Sequence, residues 1–178
     1  MLNIGIIIGS TREGRVSPQV AEWIYQKGLE KGGANYEIVD LKAYHLPLLG
    51  ESGDLSKVND FKEKIGSLDA FIFVVGEYNH SITASLKNAL DYLKDEWNNK
   101  AAGIVSYGSV GGARATEHLR TILGELQVAD VRSHTALSMF TDFENWSVFK
   151  PNDLHLVNLN MMFDQVISWG TALKTIRK

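Results

Sequence analysis

The chemistry this sequence offers first is the binding of an anion. Ser10-Thr-Arg-Glu-Gly-Arg-Val-Ser17 is a polar run between an apolar stretch and the start of a helix. Hydroxyls of Ser10, Thr11 and Ser17 can donate to phosphate oxygens, and Arg12 can pair with two of them at once. Free amides at a helix start add about half a positive charge. The spacing is neither a Walker A loop, which needs Gly-Lys-Ser/Thr, nor a Rossmann G-x-G-x-x-G, so hydrolysis of a magnesium nucleotide is disfavoured. Two more loops invite a ligand. Glu77-Tyr-Asn-His-Ser81 is polar and follows a buried apolar run, and Tyr107-Gly-Ser-Val-Gly-Gly-Ala-Arg114 is rich in glycine, so its backbone can come close to a flat molecule. There is no cysteine, hence no disulfide, no thiolate metal site and no thiol nucleophile. Redox work would need a borrowed cofactor. His45 stands alone in a connection and is given no role, and no metal site is expected.

These loops need a scaffold, and the pattern supplies one. Asn3–Gly9, Phe71–Val75 and Ala101–Ser106 read as doubly covered strands of a parallel sheet. Tyr36–Asp40 reads as an edge strand and Val128–Thr135 as a fifth. Helices are expected from Ser17, a candidate N-cap with Pro18 at the first helical position, through Val20, Trp23, Ile24 and Gly28. Others run from Ser56 to Ser67, along Leu86, Ala89, Leu90 and Leu93, along Ala115, Leu119, Ile122, Leu123 and Leu126, and from Leu159 to a basic end at Lys174, Arg177 and Lys178. Alternating strands and helices imply a parallel doubly wound sheet with helices on both faces, and such sheets bind ligands where the strands end. Leu137 to Asn158 breaks the alternation. Its Phe140, Phe143, Trp146 and Phe149, spaced by three, leave two readings open: cover for the chain's own core, or a subunit interface.

Gly76-Glu-Tyr-Asn-His-Ser-Ile-Thr-Ala-Ser-Leu-Lys-Asn-Ala-Leu-Asp-Tyr92 resembles the signature of the NADPH-dependent FMN reductase family. The match is strongest over Glu77–Asn79 and Leu86–Ala89. It departs at Gly76, often Pro in the family, and at Thr83 and Ala84, usually Pro-Gly, a change that would loosen the turn into the helix. The resemblance implies a flavodoxin-like fold with strand order 2-1-3-4-5, so that the exits of strands 1, 3 and 4 lie side by side. It implies that Ser10, Arg12 and Ser17, with Pro18 and Gln19, hold the phosphate of FMN. The flavin ring would lie between Glu77, Tyr78, Asn79, His80 and Ser81 on one side and Ser106, Tyr107, Gly108, Ser109, Gly111 and Gly112 on the other. Tyr78 is expected to pack on the ring, and Asn79 and His80 to meet its edge. Arg15 would meet the phosphate or the nicotinamide nucleotide, or be solvated.

On that reading the chain is an NADPH- or NADH-dependent oxidoreductase that reduces a quinone, azo compound, metal oxyanion or free flavin by ping-pong turnover. The chemistry sits on FMN, and no side chain is expected to act as nucleophile or general acid. The alternative is a flavodoxin-like electron carrier or redox regulator with no nicotinamide turnover. Carriers tend to present a strongly acidic face. A net charge of −3, with Arg12, Arg15 and Arg114 near the proposed site, favours the enzyme. At 178 residues and 44% apolar, one domain spanning residues 1–178 is expected. No broad basic surface argues for nucleic acid, and no apolar run or leader argues for a membrane, so a cytoplasmic protein is expected. The resemblance further implies a homodimer, or a tetramer built of dimers.

Overall fold

A computed structural model describes residues 1–52 and 54–177; Lys178 of the expected basic end lies outside them. Strands β1 (Leu2–Ile8), β2 (Ala34–Asp40), β3 (Ala70–Gly76), β4 (Lys100–Gly108) and β5 (Val128–Ser138) form one parallel sheet in the order β2-β1-β3-β4-β5. Every residue of β3 and β4 is buried, as expected of central strands covered on both faces. β2 stands at the edge.

Helices α1 (Ser17–Lys31) and α5 (His155–Lys174) cover one face, where Ile4, Ile6, Ile72 and Val105 meet Ile24, Leu159, Phe163 and Val166. Helices α2 (Ser56–Ser67), α3 (Ala84–Tyr92) and α4 (Ala113–Glu125) cover the other, around Phe61, Phe71, Phe73, Leu90 and Trp97. The strand side chains alternate between the two cores, so each sheet residue belongs to one of them. This is the flavodoxin-like architecture, with its switch point at the exits of β1 and β3.

Three expectations are adjusted. Ser17 is the first residue of α1 rather than its cap: Val16 occupies the cap position, no side chain caps this end, and no acidic residue lies in the first turn. β5 runs on to Ser138. The segment after it contains a small hairpin, β6 (Phe143–Glu144) with β7 (Val148–Phe149). That hairpin divides the four aromatics. Phe143 is buried and Phe149 half-buried, the two rings 5.1 Å apart, with Phe149 also edge-on to Trp23 at 5.5 Å. Phe140 and Trp146 pair at 5.0 Å and stay exposed.

Candidate functional site

The loop after β1 ends at Ser10, buried beside Gly9, and its shape is set by Arg15. That guanidinium donates to the Ser10 carbonyl at 2.5 Å and forms a two-pronged pair with Asp40 at the end of β2. Arg15 is therefore neither solvated nor turned toward a ligand; it ties two strand exits together. Arg12 differs. It is exposed, makes no ion pair among the described residues, and lies 5.8 Å from the ring centre of Tyr78. Ser17 Oγ is buried without a hydrogen-bond partner among the described residues. It neighbours the Tyr107 hydroxyl outside hydrogen-bonding geometry; burial raises that phenol's pKa, and the serine hydroxyl opposes the shift only in part.

The loop after β3 is a two-residue turn. Tyr78 and Ser81 exchange both backbone hydrogen bonds, at 2.9 and 2.8 Å, with Asn79 at φ 47° and His80 at φ 69° between them. Positive φ at both central positions is the tight turn whose twist suits a hairpin, and asparagine accepts it readily. Thr83 then caps α3 by accepting from the Leu86 amide at 3.2 Å, and donates to the Gly9 carbonyl at 2.6 Å, where Ser85 Oγ also donates at 2.7 Å. The replacement of Pro-Gly by Thr-Ala thus fastens this entry to the β1 exit instead of loosening it.

The loop after β4 is bound to that turn. Glu77 N donates to the Tyr107 carbonyl at 2.9 Å, and the buried Glu77 carboxylate accepts from Arg114 Nε at 2.7 Å and the Arg114 amide at 3.1 Å. Burial alone would raise the Glu77 pKa; hydrogen bonds from Arg114 and the Ala115 amide outweigh it and hold the carboxyl below its ordinary value. Arg114 Nη1 also lies 2.7 Å from His80 Nε2. A guanidinium can only donate, so Nε2 accepts and Nδ1 carries the ring hydrogen. Ser81 Oγ lies 3.0 Å from His118 Nδ1.

The glycines of this loop answer first to packing. Gly112 has φ 74°, and a Cβ there would stand 2.7 Å from Ser106 Cβ; at Gly111 it would stand 2.9 Å from Ala136 Cβ. Their presence is required by the fold whether or not a ligand comes near.

A cleft of about 480 Å³ joins the first two loops, lined by Ser10, Thr11, Arg12, Tyr78 and Asn79 and floored by Ile82 to Ser85. Of the expected site residues, Ser10, Arg12, Tyr78 and Asn79 line it. Ser17 and Pro18 stand at the α1 N-terminus, and His80, exposed, is held by Arg114. Gly108 and exposed Ser109 lie on the third loop, which joins the turn through Glu77. Three others have their polar groups committed elsewhere. Glu77 serves Arg114 and the start of α4. Ser106 Oγ donates to the Gly111 carbonyl at 2.6 Å. Gln19 donates to the Ser147 carbonyl at 2.8 Å and accepts from the Phe149 amide at 2.9 Å, so the sequence-based phosphate role gives way to a clamp on the hairpin. The hairpin folds back over the first turn of α1, and its backbone groups need partners there. The sequence reading named Arg114 and Thr83 but gave neither its contacts; a basic residue at the second position of the helix after a glycine-rich loop was the available signal for Arg114.

Comparison with known proteins decides the class. The sequence profile of the NADPH-dependent FMN reductases matches residues 2–142. The chain belongs to that family. It is accordingly an oxidoreductase of the flavin reductase type, with FMN and a nicotinamide nucleotide as the family's cofactors. An NAD(P)H-dependent FMN reductase of Schizosaccharomyces pombe is 36% identical over 146 residues, covering 77% of this chain and 73% of that one. The quinone reductase of Escherichia coli K12 is 32% identical over 130 residues, covering 68% and 69%. In three dimensions, FerB, a flavoenzyme NAD(P)H:(acceptor) oxidoreductase of Paracoccus denitrificans, superposes with a TM-score of 0.75 at 20% identity over 97% of this chain and 98% of that one, which shows the shared fold. The residues present fit a phosphate-bearing ligand. Among the described residues, a helix start with no side-chain cap and no acid in its first turn stands with a buried, unpartnered hydroxyl at Ser17 and an Arg12 without an ion pair.

Proposed function

We propose that this chain binds FMN with its phosphate at the α1 N-terminus and its ring between the Tyr78–Ser81 turn and the Tyr107–Gly112 loop, and oxidises NADPH or NADH to reduce a small acceptor. The observation that carries this reading is the first loop, where Arg12 has no ion-pair partner and Ser17 Oγ no hydrogen-bond partner among the described residues. Bound flavin supplies the redox chemistry. The chain supplies position and field. Arg12 and the hydroxyls of Ser10 and Ser17 hold the phosphate, and Tyr78, stacked against Arg12, offers a flat apolar wall. His80 Nδ1–H is free to donate to a ring edge because Arg114 occupies Nε2.

The nicotinamide nucleotide and the acceptor use the same open face in turn, which is ping-pong turnover. Quinones, azo compounds, metal oxyanions and free flavin are the acceptor classes that such an open site accommodates. No helix among the described residues is long and apolar enough to cross a membrane, and the proposed location is the cytoplasm. The test is direct. Purified protein should take up FMN, show its visible absorption, and oxidise NADH or NADPH with menadione, giving parallel double-reciprocal lines. Flavin-loaded protein inert toward both nucleotides across several acceptors would overturn the proposal.

A further inference from the structure

Lys100 is an amine for which the flavin site has no use. It is the first residue of β4, at the end of the sheet opposite the three loops, and it is only 4% exposed. A lysine is almost never buried this far without an acid to pair with. Lys100 forms no ion pair among the described residues, because the acids whose charge reaches it are engaged elsewhere: Asp69 with Lys174 and Arg177, Glu96 with Lys62. Its Nζ donates instead to two carbonyls at the end of α2, Ile65 at 2.7 Å and Gly66 at 3.2 Å, and stands 5.4 Å from the centre of the Phe71 ring. An ammonium has three N–H groups to satisfy and a neutral amine two. Two carbonyls therefore suit the neutral form, whose lone pair takes part in neither bond.

Removal from water and a neighbouring cation are the two conditions that turn a lysine into a nucleophile. Both hold here. Burial first, and the Arg177 charge second, bring this amine down to about 8, with Asp69 and Glu96 opposing the shift in part. The amine also has room beside it. Lys100 shares the wall of a cleft of about 770 Å³ with Leu68, Asp95, Glu96, Lys174 and Arg177. Lys174 and Arg177 are both bound to Asp69, which leaves no free cation there to hold an anionic reagent. Asp95 is exposed and has no cationic partner among the described residues, and together with Glu96 it favours a positive charge kept at Nζ.

We propose that Lys100 is a nucleophilic lysine and that this cleft admits a small uncharged aldehyde, which condenses with its amine. The lone pair of Nζ attacks the carbonyl carbon and a C–N bond forms. The carbonyl oxygen departs as water, carrying one amine hydrogen and one proton from solvent, and the iminium keeps the other hydrogen; nothing is oxidised or reduced. The proposal is independent of the reductase reading, since it uses neither flavin nor the loops at the strand exits. Reductive alkylation of the wild-type protein tests it. Propionaldehyde is added with cyanoborohydride, which delivers hydride to an iminium carbon and fixes the adduct as a propyl group, and peptide mass mapping locates the labelled lysines. At pH 7 and low labelling, Lys100 should react at least about tenfold faster than exposed Lys57, which Asp60 holds charged, because an ordinary lysine near about 10.4 presents far less free amine. The preference should disappear in urea, where burial is lost. Arg177→Gln, which removes the neighbouring cation, should slow the labelling of Lys100 at pH 7 while FMN uptake persists. Lys100 left unlabelled, labelled no faster than Lys57, or labelled with the same preference in the unfolded chain would overturn the proposal and leave this amine as a clasp on α2.

Discussion

Two clefts open at opposite ends of the same sheet. At the end where the strands begin, one of about 770 Å³ is lined by Asp69, Glu96, Lys100, Lys174 and Arg177. At the end where they leave, the cleft between Ser10–Arg12 and Tyr78–Asn79 measures about 480 Å³. The larger cleft is rich in charge, yet much of that charge is paired around Asp69. Asp69 accepts from the Asn3 amide at 2.9 Å, from Lys174 at 2.9 Å and from Arg177 at 2.8 Å. Lys100, pulled down to about 8 chiefly by burial, donates to the Ile65 carbonyl at 2.7 Å and holds the last turn of α2. At the other end, Arg12 in the smaller cleft has no ion-pair partner and Ser17 Oγ at the α1 N-terminus no hydrogen-bond partner among the described residues. Size favours the larger cleft, whereas an unpaired cation beside an orphan hydroxyl favours the smaller one, where the proposed site lies.

The sharpest way to break this contrast is to disturb the self-contained end. Asp69→Ala strands Arg177, Lys174 and the Asn3 amide together. Losing one partner of a largely buried ionic cluster costs about 3 kcal/mol, which in a chain of this size lowers the melting temperature by about 10 °C. FMN affinity should not change. A calorimetric scan beside a flavin titration checks both halves, and weaker flavin binding without lost stability would make the two ends alike.

The mirror experiment disturbs the open end. Ser10→Ala with Arg12→Ala removes a hydroxyl and a cation that have no hydrogen-bond or ion-pair partner among the described residues. Hydrogen bonds to a charged group contribute about 1.5–3 kcal/mol each, so losing two should lower FMN affinity by more than about 100-fold, while the denaturation midpoint without flavin stays in place. Fluorescence titration of FMN reads the first and urea unfolding the second. Unchanged affinity would remove the phosphate from this loop.

What the sequence made legible follows the same line between local and distant partners. Strands such as Phe71–Val75 announce themselves because both of their faces are apolar, and the strand exits follow from them. The order 2-1-3-4-5 came from resemblance, since alternation does not determine which strands are neighbours. Gln19 was read with the phosphate, and its side-chain partners at Ser147 and Phe149 were out of sight because they lie far along the chain in a hairpin with too few residues to show a period. Arg15 was equally opaque; its role depends on Asp40 at the end of another strand. Phe140, Phe143, Trp146 and Phe149 were seen as a set, but only the hairpin's turn decides which pair faces inward.

Glu77 tests whether the open end contains a self-contained pair of its own. Its carboxylate is 5% exposed, Arg114 is 40% exposed, and the pair joins the turn after β3 to the start of α4. Glu77→Gln keeps the shape and removes the charge, and because the guanidinium is screened by solvent the loss at neutral pH should be about 1 kcal/mol. The pH dependence follows from the sign of the shift. The folded carboxyl lies below its ordinary 4.5, so folding binds fewer protons than the unfolded chain across that interval, and the ionic contribution is complete above the unfolded value and fades as pH falls through the folded one. The stability gap between wild type and Glu77→Gln, measured by urea midpoints, should therefore be open at pH 7 and narrow progressively below pH 4.5. A gap that stayed constant on acidification would mean that Glu77 holds the loops by shape alone, leaving Arg15 and Asp40 as the internal ion pair that orders this end.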